Sequence, residues 1–308
     1  MKLRIGTRGS PLALRQTEMV RAALLEKHSG MDVEILPIRT LGDQWGDRRL
    51  SQWGGKGLFT REIEEALLAK RIDLAVHSCK DLPSEIPERL CLAAFPKRED
   101  PRDIFIPRGA EKFRALPQRA RIGTGSLRRQ IQLLAQRPDF EIRPLRGNVD
   151  TRIRKLESEG LDGIVLAIAG LRRLGKSLEF FEYLPTDEMI PAVGQGALAI
   201  QCRREDRLTR EKVAELNDLP TEVAIRAERA ALERLGGNCN VPMAFHSWIE
   251  GETLKMIGMV GSLNGERVVK GGLEGSISEP EEIGLKLTQQ MLAQGAGKIL
   301  KEYEGASI

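Results

Sequence analysis

The tetrapeptide Arg-Ile-Gly-Thr occurs twice, at Arg4 to Thr7 and at Arg121 to Thr124, and each copy opens the same kind of pattern. In the first, a short strand from Lys2 to Gly6 breaks into the loop Thr7-Arg8-Gly9-Ser10-Pro11, and a helical pattern runs from Leu12 to about Lys27. Ser10 offers an acceptor to an early helical N–H, and Pro11 at the first helical position forfeits no hydrogen bond. A strand from Val33 to Ile38 follows Gly30. In the second copy, Arg121-Ile122-Gly123-Thr124-Gly125-Ser126 leads into a helix from Leu127 to Gln136. The echo continues. A helix from Glu62 to Lys70 feeds a strand from Ile72 to Val76, and a helix from Thr151 to Ser158 feeds a strand from Leu161 to Leu166. Strand and helix alternating twice over predict two related α/β lobes built largely on parallel strands.

The chain has 308 residues, enough for about two domains of roughly 150 residues each. The polar, proline-flanked stretch Pro96 to Asp103 and the stretch Pro185 to Gly196, with two prolines and two glycines, read as two connections between the lobes, and two crossings make a hinge. The last ninety or so residues differ. A helix from Thr221 to Leu235 ends at Gly236-Gly237, and strand patterns follow at Ala244 to Ile249, Leu254 to Val260 and Arg267 to Lys270. Glu250-Gly251 and Asn264-Gly265 supply turns, and a final glycine-interrupted helix runs from about Pro280 to Glu302. This predicts a small C-terminal α+β domain.

Several function classes are disfavoured. Lys and Arg exceed Asp and Glu by only 48 to 44, too near neutrality to imply nucleic acid unless the basic groups converge. There are no basic runs with interleaved aromatics, so no nucleic-acid partner is expected. The longest uncharged apolar stretch, Gly163 to Leu171, falls well short of the ~20 residues a membrane helix needs. Met-Lys-Leu-Arg-Ile-Gly-Thr at the amino terminus lacks the apolar core of a signal peptide. Cys79, Cys91, Cys202 and Cys239 form no Cys-x-x-Cys pair, and His28, His77 and His246 are scattered. No metal is expected, and the expected compartment is the reducing cytoplasm.

The candidate chemistry sits in the loops. Both echo loops set a hydroxyl and arginine at a helix start: Arg8 and Ser10 in the first, Thr124, Ser126, Arg128 and Arg129 in the second. Backbone N–H groups there favour an anion, and arginine clamps a carboxylate in bidentate fashion. Ordinary capping with solvated arginines is the plainer reading of either loop alone; two such loops favour an anion-binding cleft between the lobes. Arg146 to Arg152 is a further loop into a helix, with Asp150 or Thr151 as its cap, and Arg172 and Arg173 lie near a helix end. Gly54-Gly55-Lys56-Gly57 is a lysine loop without Walker spacing. Asp81, in His77-Ser78-Cys79-Lys80-Asp81-Leu82-Pro83, follows a buried-looking strand, where α/β proteins place catalytic groups, although Asp before Leu-Pro is also a common turn residue. His77 reads more simply as a partly buried structural histidine. Cys79, Cys91 and Cys202 read as packing residues, whereas Cys239, in the loop Gly236-Gly237-Asn238-Cys239-Asn240-Val241-Pro242, reads as a reactive or attached thiol.

These segments, taken together, resemble the porphobilinogen deaminase family over essentially the full length. The matching residues are Thr7 to Leu14, Gly54 to Phe59, His77 to Pro83, Arg98 to Asp103, Ser126 to Gln130, Leu145 to Arg152, Pro191 to Gly196 and the Cys239 loop. The resemblance implies two periplasmic-binding-protein-like lobes with mixed, mostly parallel sheets, at 1–97 with 197–215 and at 101–191, plus a C-terminal domain at 219–308 carrying the cofactor cysteine. It implies a cytoplasmic transferase, expected to be a monomer, that condenses four porphobilinogen molecules head to tail with release of ammonia to give hydroxymethylbilane. The priming dipyrromethane cofactor is attached through Cys239, and Asp81 takes the position of the catalytic carboxylate. Lys80, Ser78, Thr124, Ser126, Arg128, Arg129 and Arg146 are expected to bind the cofactor. Arg8, Ser10, Lys56, Arg152, Arg173 and Gln195 are expected to bind substrate. Each pyrrole carries an acetate and a propionate arm, which accounts for so many arginines in a chain of modest net charge.

The chain departs from the family pattern in three places. Asn238 separates Gly237 from Cys239, Gly125 stands where serine is more usual and removes a hydroxyl, and Cys79 stands where methionine is common. The rival reading is a non-catalytic two-lobed receptor for a polycarboxylate ligand, which needs neither a third domain nor a loop cysteine.

Overall fold

In the computed structural model residues 2–44, 60–236 and 241–306 are described. Contacts divide the chain into two compact units, Met1–Glu99 with Gly196–Glu222, and Asp100–Gln195 with Val223–Ile308. In chain order the first unit begins with β1 (Lys2–Arg8), α1 (Pro11–Lys27), β2 (Asp32–Ile38), a short α2 (Leu41–Gln44), α3 (Arg61–Leu68), β3 (Leu74–Ser78) and β4 (Leu90–Ala94). The second unit then supplies β5 (Asp103–Pro107), β6 (Arg121–Gly123), α4 (Leu127–Gln136), β7 (Glu141–Arg143), α5 (Val149–Ser158), β8 (Gly163–Ala167), α6 (Ile168–Arg173) and β9 (Glu182–Leu184). The chain returns to the first unit for β10 (Leu198–Arg203) and α7 (Arg207–Ala214), and α8 (Leu219–Arg234) leads back to the second. There β11 (Met243–Glu250), β12 (Thr253–Gly261), β13 (Val268–Ser276), α9 (Pro280–Ala293) and α10 (Ala296–Ala306) complete it.

Each unit holds one five-stranded mixed sheet, and the two sheets share a plan. The first has the order β2-β1-β3-β10-β4 and the second β7-β6-β8-β5-β9. In each, three neighbouring strands are parallel and the fourth runs against them. The fifth, antiparallel to the fourth, restores the common direction. Four strands of five therefore point one way, as the strand–helix alternation predicts. The reversed strand β10 is buried at every position, as a strand covered on both faces must be.

The sequence echo is a packing unit, and it is wider than the tetrapeptide. Arg4 closes on Asp73, with its backbone N–H 2.9 Å from Oδ2 and its guanidinium 2.9 Å from Oδ1, while Asp73 N–H returns to Arg4 O at 2.9 Å. Arg121 and Asp162 repeat the exchange, Arg121 N–H donating to Asp162 Oδ2 at 2.7 Å and Asp162 N–H to Arg121 O at 2.9 Å. The glycine of each copy is needed for close approach: a Cβ on Gly6 would lie 2.3 Å from Ile72 Cδ1, and one on Gly123 2.7 Å from Leu161 Cδ1. Ile72 and Leu161 each stand immediately before the paired aspartate.

The core of the first unit is lined by Leu3, Ile5, Val20, Leu24, Leu74, Ile200 and Val213. In the second, Phe105, Ile122, Leu133 and Val165 lie on one side of the sheet cluster and Ile104, Ile164, Leu166 and Leu171 on the other. The C-terminal strands form the antiparallel meander β11-β12-β13. Phe245, Leu254 and Met256 of that meander pack with Ala227 and Ala231 of α8 and Leu287 and Met291 of α9. Ala244 and Met259 join Ile131 of α4 in a further cluster, so the meander and the second sheet share apolar contacts.

Helices α1 and α4 start on their expected caps, Ser10 accepting from Ala13 N–H and Ser126 from Arg129 N–H. Three expectations change. The cap of α5 is Asn148, which accepts from Thr151 N–H at 2.9 Å, rather than Asp150 or Thr151. The last strand continues past Lys270 to Ser276 despite its glycines, because α9 lies against it; a Cβ on Gly271 would be 3.0 Å from Leu287 Cδ1. The final helix is two helices, divided at Gly295, whose φ of 99° ends α9.

Candidate active site

In the first unit, β1 and β3 are parallel neighbours, so their C-terminal ends present Arg8 and Ser78 side by side with the turns that follow. Arg8, Ser10, Gln16, Thr60, His77, Ser78 and Asp81 line one cavity of about 60 Å³. Asp81 closes a single 3-10 turn, Cys79–Asp81, that also carries Lys80. That turn is fixed at both ends: Cys79 N–H donates to Ala197 O at 3.0 Å and Leu82 N–H to Cys79 O at 3.2 Å. Gln16, from α1, meets the Ser78 hydroxyl at 2.9 Å through Nε2 and 3.0 Å through Oε1. Arg8, Ser10, Ser78, Lys80 and Asp81 are all only partly buried.

A polar chain, buried at His77 and Gln201 and half-buried at Glu64, backs this cavity. Glu64 accepts from Gln201 Nε2 at 2.9 Å, which turns the amide oxygen of Gln201 toward His77 Nε2, 3.0 Å away. The amide oxygen can only accept, so His77 donates from Nε2 and keeps Nδ1 as its acceptor while neutral. Burial drives the His77 pKa down to about 4 against the opposing bond to Gln201, with Arg8 adding a smaller push in the same direction. Burial also raises Glu64, the bond from Gln201 opposing it. His77 is thus a neutral, oriented imidazole at ordinary pH.

In the second unit, the loop Thr124 to Ser126 leads from β6 into α4, and Thr124 Oγ1 accepts from Ser126 N–H at 3.2 Å. Its neighbour is the strand-end segment carrying Arg146: a Cβ on Gly125 would lie 2.7 Å from Leu145 O. A side chain at 125 would therefore require this loop to shift. Arg128 and Arg129, on the first turn of α4, point inward and are each only 5% exposed. Both reach Asp103 at the start of β5, Arg128 Nη2 lying 2.8 Å from Oδ2 and Arg129 Nη2 2.8 Å from Oδ1. Arg128 also donates to Ile190 O and Arg129 to Val165 O. Gln195 Nε2 donates to Asp103 Oδ1 at 2.9 Å and to Pro101 O at 2.6 Å. Full burial would raise the Asp103 carboxyl, but the charges of Arg128 and Arg129 outweigh it and hold the group far below the usual carboxylate range. Burial lowers Arg128 in turn, Asp103 opposing it. Arg128 Nε is buried with no hydrogen-bond acceptor among the described residues.

Glu228 of α8, fully buried, accepts from Gly194 N–H at 2.7 Å and Ser247 N–H at 2.9 Å, so it fixes the segment that presents Gln195. Arg152 bends over its own loop, Nε donating to Gly147 O at 2.7 Å. Arg146 is partly buried, and Arg173 is buried at the end of α6. Lys56 and Cys239 lie outside the described residues.

Arg8, Ser10, Ser78 and Asp81 are thus brought to one cavity, and Arg128, Arg129 and Gln195 to one carboxylate. Sequence reading did not single out Asp103, Gln16, Gln201, Glu64 or Glu228. Asp103 alone left a trace, an acidic residue opening the otherwise apolar strand Ile104-Phe105-Ile106.

A family model described as porphobilinogen deaminase, dipyromethane cofactor binding domain, matches residues 3–211, and its C-terminal domain counterpart matches 223–293. The chain is 51% identical to a porphobilinogen deaminase of Geobacter metallireducens over 98% of its own length and 94% of that protein. It is 51% identical to one of Syntrophotalea carbinolica over 97% and 95%. Among solved structures it is distantly similar to YtmK of Bacillus subtilis, titled a probable amino-acid ABC transporter extracellular-binding protein, at TM-score 0.44 and 10% identity over 70% of this chain and 90% of that one. Matched from its first strand into its last long helices, the chain belongs to the porphobilinogen deaminase family.

Proposed function

We propose that Asp81 is the carboxylate that serves the reacting pyrrole and that Cys239 is the attachment point of the cofactor. The chain is a transferase of tetrapyrrole biosynthesis: it joins four porphobilinogen molecules head to tail, releases ammonia and yields hydroxymethylbilane. The cofactor of the family is a dipyrromethane, which when bound supplies the primer that the chain extends. A purely binding role is disfavoured, because family likeness covers the C-terminal domain as well as the lobes.

The residues suit an acetate- and propionate-bearing group. Ser78, Thr124, Ser126, Arg128, Arg129, Arg146 and Lys80 would hold the cofactor, and the buried Arg128 Nε is a donor that a carboxylate arm would satisfy. Arg8, Ser10, Lys56, Arg152, Arg173 and Gln195 would hold the substrate arms. The observation that carries the reading is the cavity where Asp81 stands with Arg8, Ser10 and Ser78. Loss of ammonia from porphobilinogen leaves an electron-poor carbon, and positive charge develops at the pyrrole nitrogen. Asp81 accepts from that N–H and stabilises the charge, typically worth about 10²–10³ in rate, while Arg8 and Ser10 anchor the arms. An arginine could not replace Asp81, since it would oppose the same charge. The protein acts as a cytoplasmic monomer on a small molecule, without nucleic acid or membrane; no helix among the described residues is long and apolar enough to cross a membrane.

The deciding experiment is the intact mass of the purified, denatured protein, followed by peptide mapping. An excess equal to one dipyrromethane on the Cys239 peptide is expected, in the protein as purified or after incubation with porphobilinogen. An unmodified Cys239 after that incubation overturns the assignment.

A further inference from the structure

Two cysteines far apart in sequence meet in the first sheet. Cys91 on the edge strand β4 lies directly opposite Cys202 on β10, and their Sγ atoms are 3.9 Å apart. Directly opposed residues of an antiparallel pair carry their Cβ atoms on the same face, about 4.5–5.5 Å apart, and a disulfide asks for about 3.5–4.5 Å. Closing the sulfurs from 3.9 Å to bonding distance therefore takes side-chain rotation together with a slight approach of the edge strand β4 to β10. Cys202 is fully buried, and Cys91 is partly exposed at the rim of the apolar cluster that includes Val213 and Leu216.

We propose that Cys91 and Cys202 form a reversible redox pair, oxidised by small peroxides to a disulfide that ties the edge strand β4 to β10. Neither cysteine lines the Asp81 cavity, so the pair stands apart from the transferase chemistry. The two thiols are inequivalent in the way such a pair requires. The hydrogen bond with Cys202 lowers the Cys91 thiol most, burial opposing it, and the positive charges of Arg210 and Arg204 add to the lowering; the same contact and burial raise Cys202. Cys91 is thus the attacking thiolate and Cys202 the resolving thiol. In the first step Cys91 sulfur attacks one oxygen of hydrogen peroxide and the O–O bond breaks. The departing hydroxide takes up the proton that the Cys91 thiol released on ionising and leaves as water, so Cys91 becomes a sulfenic acid. In the second step Cys202 sulfur attacks Cys91 sulfur, the S–O bond breaks, and the hydroxyl leaves with the Cys202 proton as a second water. Two thiols lose two electrons and the peroxide gains them.

The test uses the holoenzyme, exposed to hydrogen peroxide in modest excess, quenched with a thiol-alkylating reagent and digested without reductant. A cross-linked Cys91–Cys202 peptide pair, lighter by two hydrogens and released by dithiothreitol, is expected. Its formation should outpace oxidation of the buried Cys79 by about tenfold or more, since thiolate character and access govern the rate. In Cys202→Ser, Cys91 should accumulate as a sulfenic acid trapped by dimedone. The proposal is overturned if both wild-type thiols are alkylated after peroxide, or if Cys91 proceeds to sulfinic acid without cross-linking. The wild-type map decides even if a variant folds poorly.

Discussion

In the first lobe the arginine stands before the helix cap, at Arg8 on the last position of β1, partly exposed on the cavity with Ser10 and Asp81. In the second lobe the corresponding loop places Arg128 and Arg129 after the cap Ser126, on the helix itself, and folds them onto the buried Asp103. A shift of a few positions moves an arginine from the edge of an open cavity to a buried carboxylate. The duplicated strand–turn–helix frame sets where a cation can stand; its offset from the cap decides what the cation meets. The two aspartates differ likewise: Asp81 sits on a turn at a cavity, whereas Asp103 has no exposed surface.

That contrast is easiest to break at the aspartates. Asp103→Ala should cost about 3–5 kcal/mol, because it strands two buried guanidiniums; a loss below about 1 kcal/mol in denaturant unfolding would mean that they find other acceptors. Asp81→Asn should cut turnover by about a hundredfold or more while leaving unfolding and cofactor loading unchanged, since amide and carboxylate match in shape but not in charge. Near-normal turnover would remove Asp81 from its assigned role.

A gentler probe is pH. Because His77 has a folded-state pKa of about 4, below its ordinary value, the unfolded chain takes up the proton first. Stability should therefore fall as pH drops from about 6.5 toward 4, by up to about 3 kcal/mol in all. His77→Gln should flatten that slope, and an unchanged slope would locate the titration elsewhere. Smaller still is the glycine comparison. Gly125→Ala should destabilise by about 1–3 kcal/mol through its clash with Leu145 O, while Gly9→Ala, with nothing within 4 Å of the added carbon, should stay within about 0.5 kcal/mol. Equal effects would dissolve the distinction between the loops.

Local structure was legible wherever a backbone rule has a side-chain signature: Ser10 and Ser126 as caps, Pro11 at a helix start, and the paired Arg-Ile-Gly strand segments. The arginines beside helix starts were visible in the sequence, but not where they turn: Arg8 lines the cavity with Asp81, whereas Arg128 and Arg129 reach Asp103. What the sequence concealed are long-range partnerships. Nothing near residue 103 announces Arg128, and nothing near residue 77 announces Gln201 and, behind it, Glu64. The α5 cap was missed for a local reason, since Asn148, Asp150 and Thr151 are all good caps within four residues and only the backbone path chooses among them.

The placement of β10 has a consequence for synthesis. This strand sits between β3 and β4 in the first sheet, yet it is encoded after the whole second sheet. As the chain leaves the ribosome, β4 has no strand to pair with until residue 203 emerges, whereas the residues of the second sheet have all appeared by then. Of the two five-stranded sheets, the one begun first is finished last. Until then it must keep an unpaired strand edge from straying, and such delayed long-range closure is slow and aggregation-exposed.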